Sequence, residues 1–384
     1  MGRIILVRHE TDHPALYGAA AALVAAAEGG RLFWPAAQFD FDRHPDAQQH
    51  VADEGALIPS GLIWADRLTG RSARPLAELA DEAAAVVPVH AAFLADGDAV
   101  SRLAAAGAED RTARLVENRF LDADGRVIGW RDRFGRVLSA EPAAVVPSGL
   151  VLALAGPAEQ FLETCPAPLA ALADAIDAEA PGAELRFLDP RNLPADPLAG
   201  VDGVLLPGGS QMSSVAGQIE LARAARTSGT PIAGLCLGMQ SMSTAVAREL
   251  SGWEDTDMAE AAPAAARHSF IRIETGEYRL GRRITRSAPG SRLRQLLGAE
   301  SEIACNHRYR LAPALHEGLA RRGVLVSALG GEPGQDIADA IEARDGFYMG
   351  MQGHPELSSR PGRPHPLLRA FVAEAARTAR ARRA

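Results

Sequence analysis

A short apolar run that ends in a glycine-bracketed turn constrains this chain more than any other segment. Pro231-Ile232-Ala233 passes directly into Gly234-Leu235-Cys236-Leu237-Gly238-Met239-Gln240. Residues 232–235 read as a buried strand, 234–237 as a sharp turn, and 237–250 as the body of a helix. Gly238 relieves crowding where strand and helix meet. The start of a helix points free amide N–H groups, and a partial positive charge, at the residue before it. That residue is Cys236, so a thiol is expected at a turn shaped like a nucleophile elbow.

The surrounding sequence repeats the same alternation. Residues 150–155, 184–188 and 203–206 read as strands, and 168–178 and 217–226 as helices. Short apolar strands separated by helices predict an α/β fold with a mostly parallel sheet and helices on both faces. In such sheets the reactive groups collect at the carboxyl ends of the strands. Residues 270–326 look more β-rich and irregular, and 366–382 read as a terminal helix whose arginines form a solvated face. The first part of the chain is expected to be a smaller α+β or α/β domain. There, 3–7 and 31–34 read as strands and 14–28 as an alanine-rich helix. Turns at Asp124-Gly125 and Phe134-Gly135 suggest a β-hairpin within 119–138. A linker near 141–148 gives expected domains 1–147 and 148–384.

Two further segments carry the chemistry that a cysteine needs. His354-Pro355-Glu356 follows the apolar run 347–351. On an extended segment His354 and Glu356 would project the same way, so Glu356 fixes the imidazole tautomer while the other ring nitrogen faces Cys236. Asp202-Gly203-Val204-Leu205-Leu206 reads as a strand, and Pro207-Gly208-Gly209 follows it. Two glycines at a strand end let backbone approach a ligand closely. The N–H groups of Gly209 and Leu237 are therefore the candidate oxyanion donors.

Together these blocks resemble the class I glutamine amidotransferase domain, and in particular the glutaminase domain of CTP synthases. The resemblance covers roughly residues 150–384 and includes Ser359-Arg360-Pro361 and Pro364-His365-Pro366-Leu367 after the His-Pro-Glu block. It implies a Cys236–His354–Glu356 triad that hydrolyses the glutamine side-chain amide. It places Gln240, Glu260 and Arg308 at the amino-acid end of the substrate, and free glutamine does need a cation and an anion there. It implies no cofactor and no metal. It also implies an ammonia acceptor, either on the N-terminal region or on a synthetase partner. Two departures stand out. Gly353 replaces an aromatic residue that the family usually carries, which suggests looser packing around His354. Ser210-Gln211-Met212-Ser213-Ser214 replaces the family's usual loop after the glycine pair, which bears on substrate choice. The alternatives are a γ-glutamyl hydrolase without ammonia transfer and a non-catalytic amidotransferase-like binding protein.

Composition excludes other classes. The 40 basic residues are all arginine, so no lysine of a phosphate-binding loop is available, and residues 1–147 are too short for an amidoligase domain. A net charge of −8 argues against a nucleic-acid surface. No run is long and apolar enough for a bilayer, and the start of the chain shows no signal-peptide pattern. The three cysteines form no disulfide framework, so a cytoplasmic protein is expected, with Cys165 and Cys305 inert. Asp40, Asp42, His44, Asp46 and His50 read as an acidic loop in preference to a metal site. Leu6-Val7-Arg8-His9-Glu10 reads as a strand end with solvated charges.

Overall fold

The structure is a computed structural model that describes residues 2–383, apart from 54, 80, 81, 83, 96, 275 and 332–334. It contains two compact units. One is Met1–Ala144 with Ala158–Ala170, and the other is Val145–Pro157 with Ala171–Ala384. A single division at 147/148 therefore misses the return of 158–170 to the first unit. Polar contacts account for that return. Gln160 Nε2 donates to Asp46 Oδ2 at 3.2 Å, Arg131 donates to the Leu162 carbonyl at 2.8 Å, and His44 Nδ1 meets Thr164 Oγ1 at 2.7 Å.

In chain order the first unit runs β1 (Arg3–His9), α1 (Ala19–Glu28), β2 (Arg31–Trp34), β3 (His50–Val51), β4 (Leu57–Ile58), α2 (Ile63–Thr69), β5 (Arg74–Pro75), β6 (Ala84–Val89), α3 (Gly97–Ala105), β7 (Glu109–Val116), β8 (Arg119–Asp122), β9 (Val127–Arg131) and β10 (Val137–Leu138). Its eight-stranded sheet has the order β10-β9-β8-β7-β1-β6-β2-β5. The strands from β7 to β5 pair in parallel, and β7 to β10 form an antiparallel meander. Ile5, Leu6 and Val7 of the central strand are buried, as a strand covered on both faces requires.

The expected helix over 14–28 is broken. A 3-10 turn at Pro14–Leu16 is followed by Gly18 in the left-handed region, and α1 starts only at Ala19. The Gly18 N–H donates to His90 Nε2 at 2.9 Å, and a methyl group on residue 18 would stand 2.9 Å from Leu62 Cδ2. A tertiary contact, invisible to local propensity, decides the break. The β1 end also differs from expectation. Arg8 is solvated and pairs with Asp110, but His9 is buried against His90 and Phe120.

The second unit contains β11 (Val151–Ala155), α4 (Ala167–Glu179, which crosses the division), β12 (Glu184–Leu188), β13 (Gly203–Leu206), α5 (Val215–Ser228), β14 (Ile232–Leu235) and α6 (Leu237–Ala247). It continues with β15 (Asp257–Met258), β16 (His268–Arg272), β17 (Arg279–Ser287), α7 (Arg292–Leu297), β18 (Glu300–His307), β19 (Tyr309–Leu311), α8 (His316–Arg321), β20 (Val324–Gly330), β21 (Ile337–Ala343), β22 (Tyr348–Met351) and α9 (Pro366–Arg383). The nine-stranded sheet has the order β12-β11-β13-β14-β22-β21-β20-β17-β18. Pairing is parallel from β12 to β22 and antiparallel from β22 to β18. The parallel half is the α/β layer expected from the alternating sequence.

The irregular 270–326 stretch supplies β17, β18 and the start of β20 to the antiparallel half, and β19 with most of β16 to the small sheet β15-β16-β19. The terminal helix α9 is more than a solvated face. Leu367, Leu368, Phe371, Val372 and Ala375 are fully buried, and each large apolar side chain of this kind stabilises the fold by about 1.5–3 kcal/mol. Among the described residues, no helix is long and apolar enough to cross a membrane.

Candidate active site

The buried strand β14 runs into α6 through Cys236, which adopts φ 47° and ψ −107°. A positive φ in a non-glycine residue with this ψ is strained, at a cost on the order of 1–3 kcal/mol, and persists only where surrounding contacts enforce it. Here the Cys236 N–H donates to the Met351 carbonyl of β22 at 2.8 Å, while the Cys236 carbonyl accepts from Gln240 N at 3.0 Å. The flanking glycines are required sterically. A methyl on residue 238 would lie 2.2 Å from the Leu206 carbonyl oxygen, and one on residue 234 would lie 2.7 Å from Met239 N. The turn therefore lifts the thiol out of the sheet and sets Leu237 at the first position of α6, where an N–H has no intrahelical partner.

His354 lies past the end of the neighbouring strand β22. Its Nδ1 is 2.7 Å from Glu356 Oε1, and both residues are buried. The backbone route differs from the extended one expected. His354 caps a 3-10 turn, Pro355–Ser358, with Pro355 at its first position. The fixed φ of proline suits a helical start, so the chain curls Glu356 under the ring. Nε2, the ring atom remote from Glu356, is buried with no hydrogen-bond partner. Burial alone would push the His354 pKa down. The Glu356 carboxylate and the charge on Cys236 outweigh it and hold the imidazole well above its ordinary value.

Cys236 and His354 flank one backbone position. A methyl placed on Gly208 would stand 3.0 Å from His354 Cε1 and 3.2 Å from Cys236 Cβ. Gly208 follows β13 in Pro207-Gly208-Gly209, and Gly209 has φ 143°, a region open to glycine. The glycine pair thus brings the backbone at Gly208 close to Cys236 Cβ and the His354 ring. Gln352 Nε2 also approaches Cys236 Sγ, at 3.7 Å, while its Oε1 has no partner. Gly353 does not loosen this region. Ile303 of β18 fills the space, and a side chain on residue 353 would collide with Ile303 Cγ1 at 2.5 Å.

A second group of polar residues is linked to the thiol electrostatically. Arg308 sits exposed between β18 and β19, its Cζ 3.8 Å above the Tyr278 ring, a cation–π contact that restrains the guanidinium. The preceding residue is locked. His307 Nδ1 donates to the Tyr309 carbonyl at 2.9 Å, leaving Nε2 to accept from Arg279, which in turn is paired with Asp339 in a fully buried contact at 2.5 Å. Burial then drives the His307 pKa down to about 3, with Arg279 adding to the effect.

Glu260 lies in the turn after β15. Its carboxyl is exposed at the surface yet sheltered enough that desolvation raises its pKa, against the pull of Arg308. Burial raises the Tyr278 pKa too, with Arg308 lowering it and Cys236 raising it further. The same electrostatic neighbourhood therefore holds Cys236, Tyr278, Arg308 and Glu260. Gln240, on the first turns of α6, is buried with Oε1 unpartnered.

The sequence reading missed Tyr278 and Gln352. Neither belongs to a motif. A tyrosine in Glu277-Tyr278-Arg279 and a glutamine two residues before a histidine gain meaning only through the contacts above. Cys305 is fully buried, and desolvation pushes its thiol up to about 12. Among the described residues, no cluster of three or more His, Cys, Asp or Glu is arranged to hold a metal.

Residues 184–374 match the family model described as Glutamine amidotransferase class-I. The second unit has the class I glutamine amidotransferase-like fold. The particular relatives are CTP synthases. That of Chloroflexus aggregans is 37% identical over 199 residues, covering 49% of this chain and 36% of the relative. That of Saccharopolyspora erythraea is 38% identical over 195 residues, covering 46% of this chain and 34% of the relative. The chain thus matches only about a third of the length of these curated relatives. Among solved structures, the glutaminase domain of Trypanosoma brucei CTPS with bound acivicin superposes with a TM-score of 0.55 at 22% identity, covering 59% of this chain and 94% of that one. At that identity the likeness concerns the fold.

Proposed function

We propose that the second unit is a glutaminase that feeds ammonia to an amination reaction. The observation that carries this reading is the buried His354–Glu356 pair, 2.7 Å apart, set with a strained Cys236 around the single glycine at 208. His354 Nε2 accepts the thiol proton, and Cys236 Sγ attacks the side-chain amide carbon of glutamine. The negative charge on the tetrahedral oxygen is held by the N–H groups of Gly209 and Leu237. His354 returns the proton to the nitrogen, the C–N bond breaks, and ammonia leaves a γ-glutamyl thioester on Cys236. Water, deprotonated by His354, then releases glutamate and the thiol. Glu356 holds the imidazole in the required tautomer and stabilises its charged form.

Substrate selection follows from the polar group beside the thiol. Arg308, restrained on Tyr278, is the counter-ion for the α-carboxylate. Glu260 and the free Oε1 of Gln240 are acceptors for the α-ammonium. The acceptor of ammonia is a small molecule held by the first unit or by a synthetase partner, in line with the synthases among the relatives. A thiol nucleophile suits a reducing compartment such as the cytoplasm.

Ammonia and glutamate release from glutamine by the full chain tests the proposal. Wild-type protein releases both in equal amounts. Cys236→Ala lowers the rate at least ~10³-fold, as loss of a nucleophile does. Unchanged release by Cys236→Ala contradicts the assignment. Glutamate release from other γ-glutamyl compounds, with glutamine inert, would mark a γ-glutamyl hydrolase instead.

A further inference from the structure

The first unit contains a cavity of about 620 Å³ that the glutaminase chemistry does not use. It lies at the carboxyl ends of β2 and β5, beside α3. Trp34 ends β2, Pro75 ends β5, Leu76 follows it, and Leu103 and Arg102 come from α3. This is where open parallel sheets keep ligands, and the volume suits a small molecule. The walls are held in place. Gln38 N donates to the Phe93 carbonyl at 2.8 Å and Ala95 N to the Ala36 carbonyl at 3.0 Å, which laces the loop after β2 to the loop after β6.

The chemistry of the lining narrows the ligand. The walls are mainly proline, alanine and leucine, so the body of the ligand is apolar. The Trp34 Nε1–H is buried and has no hydrogen-bond partner, an arrangement that costs about 1–3 kcal/mol unless something accepts from it. Arg102 is exposed on α3, and its side chain makes no hydrogen bond or ion pair among the described residues. Gln48 spends one amide proton on the Leu57 carbonyl, at 2.9 Å. Trp34 and Arg102 can only donate. The ligand must therefore bring acceptor oxygens and a negative charge. A single guanidinium among apolar walls fits one carboxylate better than a phosphate, which recruits several cations or a cradle of backbone N–H groups.

We propose that this cavity binds a small monocarboxylate with an apolar or aromatic body, its charge on Arg102 and an acceptor oxygen on Trp34. The proposal does not depend on the glutaminase reading, because all the lining residues belong to the first unit. It is tested by calorimetric and ligand-observed NMR titration of the full chain with phenylacetate, indole-3-acetate and octanoate. Phenylacetamide serves as a neutral isostere and inorganic phosphate as a second anion.

The expected result is saturable binding of at least one carboxylate, with the neutral amide and phosphate at least about ten-fold weaker. Arg102→Gln should weaken the carboxylate about ten-fold or more and leave the amide unaffected. Ala99→Phe, which fills the cavity from α3, should abolish binding of both. Thermal unfolding of each variant reports that it is folded. Four results would each overturn the proposal: no saturable binding of any of the three carboxylates, equal affinity for acid and amide, phosphate as the tightest ligand, or unchanged binding in both variants.

Discussion

Two buried histidines, one in each unit, stand at the carboxyl ends of parallel strands and differ in their neighbours. His9 ends β1 and His354 follows β22. Both are almost fully excluded from solvent. His9 packs on His90 and Phe120 and forms no ion pair with a carboxylate among the described residues, and burial drives its pKa down to about 4. His354 has Glu356 at 2.7 Å and Cys236 beside it, and its pKa moves the opposite way. Burial alone makes a silent, neutral imidazole. A buried carboxylate on one nitrogen, with a thiol facing the other, makes one that can hold and pass a proton.

Removing that carboxylate should convert the second histidine into the first kind. Glu356→Gln is expected to lower kcat for glutamine hydrolysis about 10⁴-fold, as loss of a triad acid does. It should also move the His354 titration midpoint, followed by NMR of the ring proton, below its wild-type position. Near wild-type kcat with an unchanged midpoint would erase the distinction drawn between the two histidines.

A smaller effect is expected from crowding the proposed catalytic pair without touching its atoms. Gly208→Ala places a methyl 3.0 Å from His354 Cε1 and should cut kcat about ten-fold or more, because misplacement by a fraction of an ångström breaks the reacting alignment. The thermal midpoint should move little, since the strain falls on only two side chains, Cys236 and His354. Full activity in this variant would mean that Cys236 and His354 are not held against residue 208 during turnover.

The silent histidines make the smallest and most general prediction. His9 and His90 have folded pKa values of about 4 and about 3, below the ordinary value of 6.5. The unfolded chain therefore binds more protons than the folded one in that interval, and stability is lost as pH falls from about 6.5 toward 4. For His9 the loss is at most about 3 kcal/mol, because a tenfold change in proton affinity corresponds to about 1.36 kcal/mol. Hydrogen exchange in α1 across that range should show the loss, and His9→Gln should reduce it. Because its pKa is raised, His354 has the opposite sign. Its contribution is full below 6.5 and is lost as pH rises through its folded value. An α1 exchange profile that is flat from pH 6.5 to 4 would contradict the burial account of His9.

Much of the second unit is legible in its sequence because local signals and tertiary structure agree there. The strands at 184–188, 203–206 and 232–235 fall where the apolar runs lie, and Cys236 sits at the turn that its glycines announce. What escapes is non-local. Tyr278, just before β17, and Gln352, just after β22, gain meaning only through their interactions with Cys236. The spacing of His354 and Glu356 announces their pairing, but a proline-led 3-10 turn delivers it in place of an extended segment. In the first unit the alanine-rich 14–28 stretch gives a helix signal with no marker for its break. Gly18 turns left-handed to reach His90, a residue far along the chain. The apolar cavity beside Trp34 leaves no motif, because its walls come from separate segments of the chain.

Cys236 as a nucleophile aimed at a glutamine-shaped site is the central claim about the second unit. Mass-spectrometric mapping of the full chain after exposure to a glutamine-like diazo-ketone tests it most directly. The predicted result is one adduct, on Cys236, suppressed by excess glutamine. An adduct on Cys165 with Cys236 untouched, or labelling that glutamine does not suppress, would contradict it.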